Sequence, residues 1–128
     1  MSKILVIEDN KEIRENTAEI LELNGYNVLT AENGNVGFAL AKNHTPDLIL
    51  CDIMMPETDG RAFLKLAKGE FGVRNIPIVF FSAGSSPELQ KELIDGKNKY
   101  LKKPFTAEDL LVIIKDGLNK NGDHANHE

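Results

Sequence analysis

Three short runs of this chain are apolar almost without interruption: residues 4–7 (ILVI), 48–51 (LILC) and 76–81 (IPIVFF). A strand with one wet face alternates apolar and polar residues, because successive side chains point to opposite faces. An unbroken apolar run must be covered on both faces. That is the condition of a central strand in a parallel sheet with helices above and below.

The segments between these runs supply the covering layers. Residues 11–24 place Ile13, Ile20 and Leu21, with Thr17 and Ala18, at helical spacing, and Gly25 stands where a C-cap belongs. Residues 34–42 carry Val36, Phe38, Ala39 and Leu40, and residues 60–68 carry Phe63, Leu64, Leu66 and Ala67. Residues 87–95 form a fourth helical stretch ending at Gly96. A fifth runs from Thr106 to about Asn119 along Leu110, Ile113, Ile114 and Leu118, with Thr106 and Asp109 spaced as a capping box. Residues 26–30 and 99–102 supply two more strands, the main runs being strands at 3–7, 47–51 and 76–81. Five strands alternate with five helices. With right-handed crossovers, the best match is an α/β fold of the flavodoxin-like, doubly wound (βα)5 kind, with parallel strand order 2-1-3-4-5.

The 128 residues suit one domain, expected over residues 1–120, with a polar, disordered tail over 121–128. A net charge of −5 argues against direct nucleic-acid binding and against an anionic membrane surface. No run approaches the roughly 18 apolar residues of a spanning helix, and the first residues lack a signal peptide's long apolar region. One cysteine, Cys51, excludes an intramolecular disulfide. Together these predict a cytoplasmic protein without membrane insertion. The short tail after the last helix predicts a chain without an appended output domain.

In the order 2-1-3-4-5 the carboxyl ends of strands 1 and 3 frame the switch-point crevice, where open α/β sheets bind ligands. Strand 1 leads into Glu8-Asp9 and strand 3 into Asp52. Strand 4 leads into Ser82-Ala83 and strand 5 into Lys103-Pro104. Three carboxylates a few Å apart repel one another and call for a cation. Their hard oxygen donors point to Mg²⁺. An acid that can accept a phosphoryl group, a metal beside it, and a lysine and a hydroxyl are the parts that phosphoryl transfer uses.

At this point the chain resembles the receiver domain of two-component response regulators, in particular single-domain, chemotaxis-regulator-like members. The resemblance rests on Glu8-Asp9, Asp52 in DIMMPETDG, Ser82-Ala83 and Lys103-Pro104, in this order and each at a strand end. It implies that Asp52 is the phosphoacceptor, served by a sensor histidine kinase or a histidine phosphotransfer protein. It implies that Asp9, Asp52 and the main-chain carbonyl of Met54 hold Mg²⁺, with Glu8 reaching it through water. Ser82, the Ala83 N–H and Lys103 would bind phosphoryl oxygens, and the Lys103-Pro104 bond would be cis. Met55-Pro56 and Asp59-Gly60 would shape the following loop. Ser82 and Tyr100 would form the switch pair, with output to an unidentified downstream protein through the face near Lys97, Lys99, Tyr100 and Lys102. The chain departs from the family pattern at Lys97-Asn98-Lys99, which is basic where an acidic run is usual, and in a slightly short segment between Ser82 and Lys103.

Plainer roles compete for some of these residues. Glu8 and Asp9 also suit a helix N-terminus, Tyr100 also suits static packing, and Cys51 reads as a small apolar residue. His124 and His127 read as tail residues and His44 as a solvated one. A haloacid-dehalogenase-type hydrolase needs an acid two residues after the nucleophile, where this chain has Met54. A flavodoxin-like FMN carrier needs a phosphate loop after strand 1, where this chain has Glu8-Asp9-Asn10.

Overall fold

A computed structural model of the chain describes residues 1–55, 59–94 and 96–126, with side chains described to residue 119. Pro56 and Asp95, both assigned above to a loop and a helix end, lie outside the described residues, as do His127 and Glu128. The elements alternate as expected: β1 (Lys3–Ile7), α1 (Lys11–Leu23), β2 (Asn27–Ala31), α2 (Gly34–His44), β3 (Leu48–Asp52), α3 (Gly60–Lys68), β4 (Ile78–Ser82), α4 (Pro87–Leu93), β5 (Lys99–Lys102) and α5 (Ala107–Asn126). All four strand pairings are parallel, in the order β2-β1-β3-β4-β5.

The uninterrupted apolar runs are sorted by the pleat. Ile4, Val6, Leu48, Leu50, Val79 and Phe81 pack against Leu21 of α1 and Leu110 and Ile114 of α5. Leu5, Ile7, Ile49, Cys51 and Phe80 face the other way, onto Ala41 of α2, Phe63 and Leu64 of α3 and Leu93 of α4. Two cores therefore share one sheet. Burying a side chain of this size contributes roughly 1.5–3 kcal/mol, so both faces are needed to hold the strands.

Local chemistry moves several boundaries. Gly25 at φ +92° and Tyr26 complete a Schellman cap on α1: Gly25 N–H donates to Glu22 O at 3.1 Å and Tyr26 N–H to Leu21 O at 3.1 Å. Tyr26 is thereby used by the helix, and β2 starts at Asn27 rather than at residue 26. β4 starts at Ile78 because Pro77 has no N–H to give, although its carbonyl still accepts from Ile49 N–H at 3.0 Å. α2 buries the large apolar residues of its sequence only in part, Phe38 and Leu40 packing half-buried against the core. It buries Gly34, Gly37 and Ala41, leaving Val36 exposed, because a Cβ on Gly37 would collide with Ile7. Gly117 plays the same part for α5, where a Cβ would stand 2.7 Å from Leu48 Cδ1. Thr106 and Asp109 do form the reciprocal capping box, at 2.9 and 3.2 Å. α5 itself runs to Asn126, past the expected end near Asn119, so the helical backbone takes in most of the polar stretch read above as a disordered tail. That stretch contains no proline to stop it.

Thr45 ends α2 at φ 43°, a left-handed conformation that strains a β-branched residue. Its side chain is exposed, and the cap bond comes from its backbone N–H to Ala41 O. Thr45→Gly keeps that bond and relieves the strain, so the denaturation midpoint should rise by the equivalent of about 1 kcal/mol. An unchanged or lower midpoint would show that Thr45 is not strained there.

Candidate phosphoacceptor and metal site

Strand register builds this site. Ile7 lies opposite Cys51, so the next residues, Glu8 and Asp52, stand level at the ends of adjacent strands. Ser82 is opposite Lys102, which sets Lys103 just beyond. The ladder continues past the strand ends through Glu8 N–H to Ala31 O at 3.0 Å, Ile53 N–H to Phe81 O at 3.0 Å and Lys103 N–H to Ser82 O at 2.8 Å. These bonds fix the backbone at Glu8, next to Asp52 and at Lys103.

The pleat then sorts the side chains. Glu8, Asp52 and Lys103 continue the rows of Val6, Leu50 and Leu101, toward α1 and α5. Lys103 Nζ lies 3.0 Å from Glu8 Oε1 and 3.6 Å from Asp52 Oδ2, and 4.8 Å from the centre of the Phe81 ring. The Lys103-Pro104 bond is cis. Glu8 is 1% exposed and Asp52 4%, whereas Asp9 is exposed. One carboxylate oxygen from each of the three lies within 4.8 Å of the others. Asp52 Oδ1 accepts from Met54 N–H at 3.2 Å, and Glu8 Oε2 accepts from Asn10 N–H at 3.0 Å.

Electrostatically the acids are held under stress. Burial pushes the Glu8 carboxyl up to about 7, against the opposing pull of the Asn10 N–H and Lys103, and the Asp52 charge pushes the same way. Burial also raises Asp52, with Lys103 as the main counterweight. A single ammonium does not compensate three clustered acids. An all-oxygen donor set with one solvent-exposed member suits a hard divalent cation such as Mg²⁺. The Cys51 thiol is pushed well up by burial, consistent with a packing role.

Ser82 and Tyr100 belong to the opposite row, with Phe80. Ser82 is 1% exposed, and its Oγ accepts from Gly84 N–H at 3.1 Å. The Tyr100 hydroxyl donates to Ser82 O at 3.3 Å and receives the Ser85 hydroxyl at 3.4 Å. Gln90 Nε2 of α4 in turn donates to Ser85 O at 3.0 Å and to its Oγ at 3.2 Å. Ala83 is exposed directly after the strand, and so is the Met54 side chain.

Sequence reasoning missed several members. Arg14 Nη1 donates to Glu8 O at 2.8 Å and reaches Asp9 O at 3.5 Å, clamping the acidic turn. The signal was available: Asn10 is the N-cap, its Oδ1 accepting from Ile13 N–H at 2.9 Å, so Arg14 falls on the first turn beside the strand end. Ser85 and Gln90 gave no signal, because their partners depend on how the β4–α4 loop closes.

Comparisons with known proteins bear on the family and the fold. The family model of the response regulator receiver domain matches residues 4–115. The phosphate regulon transcriptional regulatory protein PhoB of Klebsiella pneumoniae is 38% identical over 114 residues, 88% of this chain and 50% of that protein. Histidine kinase P4 of Formosa agariphila is 35% identical over 118 residues, 91% of this chain and 8% of that protein. The chain spans half or less of the length of these two relatives. The chemotaxis protein CheY4 of Vibrio cholerae superimposes with a TM-score of 0.85 at 32% identity, covering 92% of this chain and 99% of that one.

The raised carboxyls set a pH dependence. Below about pH 4.5 the folded and unfolded chains both hold the Glu8 proton, and its contribution to stability is complete. Between there and about pH 7 only the folded chain holds it, so that contribution is lost as pH rises. With EDTA present, the melting temperature of the wild type should fall across this window relative to Glu8→Gln. Added Mg²⁺ should recover stability at pH 7.5. Parallel wild-type and variant profiles would remove Glu8 as the source.

Proposed function

The chain belongs to the response regulator receiver family of two-component signalling, and from that premise we propose that Asp52 accepts a phosphoryl group and that its phosphorylation switches protein–protein affinity. Receiver domains are regulatory signalling domains. The observation that carries the assignment to Asp52 is its place: nearly buried at a strand end, beside two other acids, with Lys103 Nζ 3.6 Å from one oxygen and Met54 N–H on the other.

The transfer balances on this chain's own groups. A carboxylate oxygen of Asp52 attacks phosphorus, an O–P bond forms, and the P–N bond of a phosphohistidine breaks. The imidazole leaves with the bonding pair and takes a proton, and Asp52 becomes an acyl phosphate. Asp9, Asp52 and the Met54 carbonyl are the residues that would hold Mg²⁺, with Glu8 acting through water. Bound there, the ion would neutralise charge on the transferring group. Lys103, released from part of its duty to Asp52, takes a phosphoryl oxygen. The Ser82 hydroxyl and the Ala83 N–H take the others. Met54 offers no acid or base two residues after Asp52, so the chemistry is self-modification without turnover on external phosphoesters.

The donor is a sensor histidine kinase or a histidine phosphotransfer protein, and the setting is cytoplasmic. No helix among the described residues is long and apolar enough to cross a membrane. Residues 1–120 act as the switching unit. Output leaves through the groove between β5 and α5, bordered by Lys99, Tyr100, Val112 and Ile113, toward a protein target rather than nucleic acid. The match to a small part of a histidine kinase supports a second reading, a relay receiver that passes the phosphoryl group onward or one segment of a hybrid kinase.

Incubation with acetyl phosphate and Mg²⁺ should add one phosphoryl mass to the wild type and none to Asp52→Asn. Equal addition to both, or to neither, would overturn the assignment. Tyr100→Phe removes the hydroxyl that reaches Ser82 O while leaving Asp52 intact. It should be phosphorylated normally yet show a smaller phosphorylation-dependent change in amide exchange across α4 and β5. A full-sized change would take Tyr100 out of the switch.

A further inference from the structure

The basic run Lys97-Asn98-Lys99 is not used by the phosphoacceptor site. It lies at the other end of the sheet, where β4 and β5 begin. There a partly open cavity of about 170 Å³ lies between the end of α3 and the turn before β5. Ile76 and Ile78 are among its apolar lining residues, and Lys68, Arg74 and Lys97, each exposed to solvent, also border it. No carboxylate lines it among the described residues. In a chain of net charge −5, that local composition runs against the overall sign.

Asn98 places a fixed amide where this cavity meets the groove beside α5. It is 6% exposed, and its Oδ1 accepts from Ile78 N–H at 3.0 Å. A backbone N–H can be met only by the amide oxygen, which assigns the other end as Nδ2. No fully buried side-chain polar atom among the described residues lacks a partner, and Nδ2 makes no hydrogen bond within the described chain. It therefore opens onto space. Asn98 borders this cavity and also the shallower groove beside α5. That groove carries Glu108, Asp109 and Asp116, which repel anions. Lys99 is engaged with Asp116 at 2.8 Å. Arg74 is steadied over the Phe71 ring, 4.9 Å from its centre, which leaves its N–H edge able to fork onto oxygen.

We propose that this cavity binds a small tetrahedral oxyanion of the phosphate type, held by Arg74, Lys68 and Lys97 and oriented by Asn98 Nδ2. The volume corresponds to about five or six waters, too small for a nucleotide or a drug-sized ligand and adequate for one such anion. Charge of one sign among the described residues around a concave, partly apolar site concentrates the field on it.

The test is a titration of inorganic phosphate into the ¹⁵N-labelled full chain without Mg²⁺, at ionic strength held constant with chloride. Saturable amide shifts are expected at Arg74, Ile78 and Asn98. Asn98→Asp keeps the oxygen that Ile78 N–H needs, removes the donor and adds a negative charge, so binding should weaken at least tenfold with the fold retained. The pair Arg74→Ala, Lys97→Ala should weaken it similarly and serves as a second measure should Asn98→Asp disturb the fold. Absence of saturable shifts at the cavity, or undiminished binding in these variants, would overturn the proposal. Shifts confined to Ser82, Ala83 and Lys103 would also overturn it, by placing the anion at the phosphoacceptor site.

Discussion

The pleat of the central strands is the constraint from which the rest follows. Because consecutive residues face opposite ways, an apolar run such as ILVI must build two cores at once, one with α1 and α5 and one with α2, α3 and α4. The same alternation carries on to the strand ends and, at β1 and β5, one residue past them, where the chain turns polar. It delivers Glu8, Asp52 and Lys103 to one face and Ser82 and Tyr100 to the other. The two rows meet at Ser82 O, which accepts from both Lys103 N–H and the Tyr100 hydroxyl.

This separation also explains why the acids can be buried. A carboxylate taken from water without partners costs several kcal/mol. Glu8 has the Asn10 N–H and Lys103, and Asp52 has the Met54 N–H and the same lysine. The lysine is itself lodged beside the Phe81 ring, so the positive charge is held in place by the α1/α5 core. What remains is a surplus of negative charge with a fixed geometry, open to solvent on the Asp9 side.

Much of this was legible in the sequence because it depends on periodicity and on what stands at strand ends. Three apolar runs and two further strand segments, with helical spacers between them, led to the strand order, and the ends of strands 1, 3, 4 and 5 pointed to Asp9, Asp52, Ser82 and Lys103. Features that depend on size and backbone shape were less legible. Gly34, Gly37 and Ala41 form the buried stripe of α2, but a stripe of small residues has no hydropathy signature, and Val36 and Phe38 drew the eye instead. Tyr26 looked like a strand residue and serves a helix cap. Arg14 could have been placed from the N-cap at Asn10, whereas Ser85 and Gln90 could not, since only the closed β4–α4 loop brings them to Tyr100.

β5 is only four residues long, and both ends are tied. Lys99 is bound to Asp116 of α5 at its start, and Lys103 N–H is bound to Ser82 O just past its end. Both ties oppose displacement of the strand along its neighbour, the main-chain bond more than the half-exposed ion pair. These two ties set β5 as a short crossbar between α5 at its start and β4 at its end.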